Sequence, residues 1–290
     1  MSACRSFLFA PGNHPRKVEK SLQVGADAVV LDLEDAVATA QKAATRPVVV
    51  DALQEPRSCR GYIRVNSFET PWCYGDLQAA VRGGVDGIVL PKVESAAQLI
   101  TVDWVISQLE LERNLSPGTL DLMPIIETGL GVARLEEISS AVPRVQRLAF
   151  GAGDLHLDLN LQWEPQERSL ADTRSRLVLH SRIAGLEPPI DTVLLQIRDS
   201  ARFEKSSAAG REFGFQGKLC IHPDQVPIAN RVFSPSADEI EHARQVVEAF
   251  AAAEADGSAS IQLEGYFIDY PIVERARKVL ELAERLAGSS

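Results

Sequence analysis

The stretch MPIIETGLG, residues 123–131, is an apolar run that ends in a carboxylate, Glu127, and then in a glycine-spaced turn. A second run, RLAFGAGD at 147–154, follows the same pattern and ends in Asp154. Near-continuous apolar runs suit strands covered on both faces, as in a parallel sheet. Outward from this pair, further runs rich in Val, Ile, Leu and Phe recur. The spacing predicts strands at 6–10, 28–33, 61–65, 87–91, 122–126, 147–150, 192–197 and 218–221. Between them lie VEKSLQVGAD, YGDLQAAVRGGVD and SAAQLITVDWVISQLELE, which carry apolar residues at helical spacing. Strand and helix alternate at about 30 residues per unit, the βαβ rhythm. Eight such units predict an α/β chain closed into a (β/α)8 TIM barrel. An open doubly wound sheet is the structural rival, but no GxGxxG follows an early strand, and GFQGKLC lacks the spacing of a phosphate loop.

After residue 222 the pattern changes. SPSADEIEHARQVVEAFAAAEADGSAS reads as a long helix closed by a Gly/Ser turn, followed by IQLEGYFIDYP and a last helix, IVERARKVLELAERLAG. The expected organisation is a catalytic barrel over 1–232 and a C-terminal helical lid extension over 233–290.

With 290 residues and 45% apolar content, the chain can bury a large core. A net charge of −10 argues against nucleic acid or an acidic membrane as partner. An anionic small substrate would need local cations. Four cysteines without CxxC spacing and only five histidines give no zinc cluster. They read as reduced thiols, the state kept in a reducing compartment. The N-terminal apolar run is too short for a signal peptide, and no run approaches the ~20 apolar residues of a membrane span. The expectation is a soluble cytoplasmic protein.

In a (β/α)8 barrel the C-terminal ends of the strands carry the site. Here they read FAPGN, LDLED, IRVNS, LPKVE, IIETG, FGAGD, LLQIRD and CIHPD. Glu34, Asp35, Glu127 and Asp154 would therefore share one mouth, where uncompensated they repel and raise each other's pKa. A divalent cation resolves this. The oxygen-only ligand set favours Mg²⁺, with Mn²⁺ second, over zinc. Arg64 and Lys92 supply positive charge, and a guanidinium fork fits a carboxylate or a developing oxo group. Metal plus arginine beside a carbon acid points to enolate chemistry.

Each residue also has a structural reading. A strand-terminal acid can cap a helix or complete an ion pair. Asp35 would cap a helix beginning near Ala36, Arg64 would partner Glu34, and Lys92 would pair with a neighbouring acid. His222 would be structural, and EHARQ and ERARK would be solvated helix faces.

Taken in order, LFAPGN, LDLEDAV, IRVNS, LPKVE, IIETGLGV, FGAGDL, GKLCIHPDQ and EGYFIDYP resemble the citrate lyase β-subunit-like family, within the HpcH/HpaI aldolase and malyl-CoA/citramalyl-CoA lyase superfamily. The resemblance covers about residues 5 to 280. It implies a TIM barrel, a homotrimer or hexamer, that binds Mg²⁺ and makes or breaks the C–C bond of 3-hydroxyacyl thioesters. It implies Glu127 and Asp154 as metal ligands, Arg64 as the substrate-contacting arginine, and Glu34 and Asp35 as supporting acids. Asp269, in EGYFIDYP, matches the proton donor or acceptor of a C-terminal lid. Phe9, Lys20 and the PGN loop match positions near the thioester carrier, CoA or an acyl-carrier protein. This chain departs from the pattern at His14, where relatives commonly carry Arg, and at Gly153, where many carry an acid. The alternatives are an aldolase of free hydroxy-oxo acids, an acyl-CoA thioesterase, or a non-catalytic carrier-binding subunit.

Overall fold

In a computed structural model, which describes residues 4–288, eight parallel strands close into a barrel in chain order. They are β1 (Ser6–Pro11), β2 (Ala28–Asp32), β3 (Arg60–Arg64), β4 (Gly87–Leu90), β5 (Asp121–Ile126), β6 (Ala149–Phe150), β7 (Ile190–Asp191) and β8 (Gly217–Cys220), with β8 pairing back onto β1. Helices connect them: α1 (Pro15–Ser21), α2 (Lys42–Ala52), α3 (Cys73–Ala80), α4 (Ala96–Glu112), α5 (Gly129–Ala133), α6 (Leu135–Ser139), α7 (Ala152–Asp158), α8 (Ala171–Ile183) and α9 (Ser200–Phe213), and α10 (Gln225–Val232) follows the last strand. The TIM barrel expected from the βα rhythm is therefore present. Local chemistry sets the helix boundaries. Helix α4, for instance, starts at a capping box in which Ser95 accepts from the Gln98 amide and the Gln98 side chain returns to the Ser95 amide.

Strand alternation sorts the residues. Phe7, Ala28, Val30, Tyr62, Val89, Met123, Ile125, Ala149, Ile190 and Leu219 form one buried cluster that fills the barrel. The intervening Leu8, Val29, Leu31, Ile63 and Ile88 are equally buried, as expected for strands covered on both faces. At the N-terminal ends of the strands, polar groups close the floor. Tyr62 donates to Asp121 at 2.8 Å, and Arg147 pairs with Asp121 and, at 2.8 Å, with Glu187.

Two expectations shift. The apolar run 192–197 is not the seventh strand. Strand β7 is Ile190–Asp191, paired with Ala149 on one side and with Gly217 and Lys218 on the other. Its neighbour β6 is only two residues long, so the ladder ends there and the apolar run that follows is free to line the mouth. Nor does a helix begin near Ala36 under an Asp35 cap. Helix α2 starts at Lys42, and it is Asp32 whose carboxylate takes the amides of Glu34 (2.9 Å) and Ala36 (3.0 Å).

The chain divides into two compact units, Cys4–Asn230 and the segment from Arg231 onward. The second contains α11 (Ala237–Ala255), an antiparallel hairpin of β9 (Ser260–Leu263) and β10 (Tyr266–Asp269), and α12 (Tyr270–Ala287). The hairpin was not legible as such. Its signal is the Glu264–Gly265 pair, both at positive φ (48° and 85°), which suits a tight two-residue turn. Ala243, Val246, Phe250, Ile268, Val273 and Ala276 form this unit's own core. None of the four cysteines forms a disulfide. Among the described residues no helix is long and apolar enough to cross a membrane.

Candidate active site

The inward parity of the strands does not stop where the apolar residues stop. Asp32 continues the Ala28–Val30 row, Arg64 follows Tyr62, Glu127 follows Ile125, and Thr192 follows Ile190. At the C-terminal mouth these residues line a cavity of about 450 Å³, together with Phe9, Asp35, Gly151, Gly153, Asp154, Val193, Leu195, Leu219 and Ile221. The acids at the ends of β2, β5 and β6 thus meet in one place, because a barrel brings all its strand ends to one rim.

Arg64 is the centre of the polar wall. Its Nε and Nη2 donate to the two oxygens of Asp32, each at 2.7 Å, in a bidentate pair. Its Nη1 lies 3.0 Å from Glu34 Oε2, and its guanidinium stacks 5.0 Å from the Phe9 ring centre. Glu34 Oε1 accepts from Lys92 Nζ at 2.6 Å. The Lys92 amide donates to Glu127 Oε1 at 2.8 Å, and Lys92 Nζ stands 3.8 Å from both Asp154 and Asp35. The pairings of Arg64 and Lys92 with Glu34, read from sequence as structural alternatives, are therefore both formed, behind the wall that Arg64, Asp32 and Asp35 present to the cavity.

Gly151 explains how Glu127 fits. A Cβ at position 151 would lie 2.3 Å from Glu127 Oε2, so only glycine lets β6 pass that close to the carboxylate. Thr192 accepts the Ala152 amide at 2.8 Å and so anchors the start of α7, which carries Asp154 in its first turn.

The charges are unbalanced. Among the described residues, the ion pairs of Asp32, Glu34, Asp35 and Asp154 are with Arg64 and Lys92, and the same two cations act on Glu127. Burial and then the neighbouring Asp154 push the Glu127 carboxyl up to about 8, although Arg64 opposes the shift. Burial likewise raises Glu34. Asp32 goes the other way: burial would raise it, but the Arg64 pair and two amides outweigh burial and lower it. Glu34 Oε2 is buried and, despite its distance to Arg64, accepts no well-aligned hydrogen bond. A site short of positive charge, with two carboxylates from successive strands facing the cavity and only oxygen donors, fits a hard divalent cation. Among the described residues, no cluster of three or more His, Cys, Asp or Glu side chains forms a ready-made metal cage. Two protein carboxylates plus water and substrate oxygens is the arrangement that remains.

Not every expected residue comes to the cavity. Phe9 lines it, whereas Lys20 is exposed in the last turn of α1 and is not among the lining residues. Asp35 is largely exposed at the edge of the cavity. Asp269 lies in the second unit, where it caps α12 by accepting from the Ile272 amide at 3.4 Å. Two residues of the arrangement escaped the reading of the motifs. Asp32 had a signal, since it occupies the next inward position after Val30. Lys42 had none: it is buried, and its ammonium donates to the carbonyls of Leu33 (3.2 Å) and Glu34 (2.9 Å) and to Asn66 (2.5 Å), holding the loop that presents Glu34.

Fold and site together define a (β/α)8 barrel with an acidic mouth organised around one arginine. The family described as HpcH/HpaI aldolase/citrate lyase matches residues 5–223, and the chain belongs to that family. The membership inferred from the order of the motifs thus holds. The chain is 36% identical over 282 residues to the citrate lyase subunit beta of Escherichia coli K12, covering 97% of this chain and 93% of that protein. It is 33% identical over 286 residues to a (3S)-malyl-CoA thioesterase of Cereibacter sphaeroides, covering 98% and 96%. Among solved structures it resembles CitE from Mycobacterium tuberculosis in complex with magnesium, acetoacetate and coenzyme A, with a TM-score of 0.78, 29% identity and 98% of each chain covered.

Proposed function

We propose that the chain is a Mg²⁺-dependent carbon–carbon lyase that cleaves, or forms, a short 3-hydroxyacyl thioester of the malyl, citramalyl or citryl type. The products are an acyl-CoA and a 2-oxo acid. The observation that carries this reading is the convergence of Glu127 and Asp154 beside the Arg64–Asp32–Glu34 cluster in one cavity. The citrate lyase relative and the magnesium-, acetoacetate- and coenzyme-A-bound neighbour point the same way.

Glu127 and Asp154 would hold the ion, Mg²⁺ or less favourably Mn²⁺, which when bound supplies Lewis-acid polarisation of the substrate's hydroxyl or oxo oxygen. Arg64 gives its Nε–H and one Nη2–H to Asp32, and its Nη1 lies 3.0 Å from Glu34 and 3.8 Å from Asp35; the second Nη2–H is the donor assigned to a substrate oxygen. Because Asp32 and Glu34 already hold the guanidinium, it needs no reorganisation as charge grows on that oxygen. In cleavage the hydroxyl proton passes to solvent water, the bond between the carbinol carbon and the thioester α-carbon breaks as the carbinol carbon becomes the 2-oxo carbon, and the electron pair of that bond passes to the thioester enolate. Asp269 is assigned the proton that the α-carbon then takes up. Phe9 flanks the cavity on the side assigned to the thioester, and Lys20 is assigned to the carrier's phosphates. The segment 233–290 is assigned as a lid, in a cytoplasmic homotrimer or hexamer.

The test is a panel of malyl-, citramalyl- and citryl-thioesters with Mg²⁺, scored in parallel for 2-oxo acid and for free thiol. The expected result is 2-oxo acid in step with substrate loss, abolished in Asp154→Ala. Because one relative is named a thioesterase, thiol release without 2-oxo acid would replace the lyase reading with hydrolysis. Turnover of free hydroxy-oxo acids alone would make the chain an aldolase. Full activity in Asp154→Ala would sink the metal assignment.

A further inference from the structure

Lys92 is the residue in the mouth whose backbone and side chain both serve the carboxylates. It lies two residues past the end of β4, after Pro91, and its φ is +52°, a left-handed conformation that few non-glycine residues adopt. That turn directs its amide to Glu127 Oε1 (2.8 Å) while its side chain reaches Glu34 Oε1 (2.6 Å). From there the ammonium stands 3.8 Å from Asp154 and 3.8 Å from Asp35. One residue thus touches or neighbours four carboxylates contributed by the ends of β2, β5 and β6. A glycine would adopt this backbone more readily, but it would bring no charge.

We propose that Lys92 is a built-in counter-ion that holds the carboxylate ring together without metal and sets how tightly a divalent cation binds. This rests on the reading of Glu127 and Asp154 as the metal's ligands. The argument is electrostatic. In the metal-free site the ammonium partly neutralises Glu34, Asp35 and Asp154, which otherwise repel across the cavity. A divalent cation drawn to Glu127 and Asp154 must arrive beside that same positive charge. Like charges a few ångströms apart in a partly buried site change an equilibrium constant by more than tenfold, even at an effective dielectric of about 20. Lys92 is therefore a positioning residue that trades metal affinity for the stability of the metal-free mouth.

The test is isothermal titration of Mg²⁺ into the full-length protein, with metal-free thermal unfolding measured alongside. Lys92→Met keeps the amide bond to Glu127 and much of the side-chain volume but removes the ammonium. It should bind Mg²⁺ at least tenfold more tightly than wild type and unfold at a lower temperature without metal. Lys92→Arg, which keeps the charge, should stay within a few-fold of wild type in Mg²⁺ affinity. Should Lys92→Met fold only when Mg²⁺ is present, the proposal is supported, because the ammonium was then required by the metal-free site. A Mg²⁺ affinity unchanged within twofold, or weaker, would overturn it. Asp154→Asn serves as the reference. If it binds Mg²⁺ as wild type does, the metal-ligand reading itself fails. If it binds more weakly while Lys92→Met matches wild type, only the role of Lys92 fails.

Discussion

Replacing Gly151 by alanine is the sharpest perturbation of the mouth that leaves every charged group in place. Gly151 has a negative φ (−112°), so the added methyl costs little in backbone conformation; the conflict is spatial. The new Cβ would lie 2.3 Å from Glu127 Oε2, 2.6 Å from Glu127 Cβ and 2.9 Å from Ile125 Cγ2. Ordinary carbon–oxygen contact needs close to an ångström more, so Glu127 or β6 must move by about that much. Overpacking of this kind costs about 1–3 kcal/mol. At roughly 2–4 °C per kcal/mol for a domain of 150–250 residues, the melting temperature should fall by several degrees. A displacement of about 1 Å at a positioned group costs on the order of 100-fold in rate, so Mg²⁺-dependent turnover should drop by that order. Gly153→Ala is the internal control, since a Cβ there meets nothing within 4 Å. Lying in the first turn of α7, it should be neutral or slightly stabilising, by a few tenths to about 1 kcal/mol. Differential scanning calorimetry, Mg²⁺ titration and steady-state kinetics on both variants decide the matter. If Gly151→Ala keeps wild-type metal affinity and rate, Glu127 is not held where its proposed role requires, and the reasoning fails.

Two further outcomes follow from residues outside that contact. Asp191, fully buried in β7, is gripped by Arg174 at 2.9 and 3.0 Å and by Lys218 at 2.6 Å. Burial would raise its pKa, but Lys218 and Arg174 outweigh burial and lower it below the ordinary 3.8. Its contribution to stability is therefore complete above that value and is lost as pH falls through the lowered one. Asp191→Asn should destabilise the protein by about 3–5 kcal/mol near neutrality and flatten the acid limb of urea-unfolding stability below the ordinary carboxylate value of 3.8. An unchanged acid limb would remove Asp191 as its source. Asp269 carries a cap and a proposed proton, and Asp269→Asn separates them. Asn caps as well as Asp, so the melting temperature should hold while turnover falls at least 100-fold; Asp269→Ala should lose about 0.5–2 kcal/mol as well. Full turnover in Asp269→Asn would take the proton step away from this residue.

The polar strand ends were readable because each near-continuous apolar run stops at a polar or glycine-containing group, a local feature of the chain; the structure adds the alternation behind it. A residue two places beyond the last inward apolar side chain still points inward, which places Glu127 after Ile125 and Arg64 after Tyr62. The same rule, applied to β2, would have found Asp32. It did not locate β7, because where a strand ends depends on how long its neighbours stay paired, and β6 offers only two residues. Lys42 was invisible for a related reason: its three acceptors lie between 8 and 24 residues away in sequence and come together only when α2 packs beneath the β2 loop.

The chain on its own determined the strand–helix rhythm, the closed barrel it favours, and the order in which acids, arginine and lysine arrive at one rim, because periodicity and turn chemistry are properties of neighbouring residues. Tertiary structure decided which of those charges pair: Arg64 with Asp32 and Glu34, Lys92 with Glu34 and Glu127, and Gly151 as the gap that admits Glu127. Those relations span tens of residues, and barrel closure fixes their distances, so no local pattern in the chain encodes them.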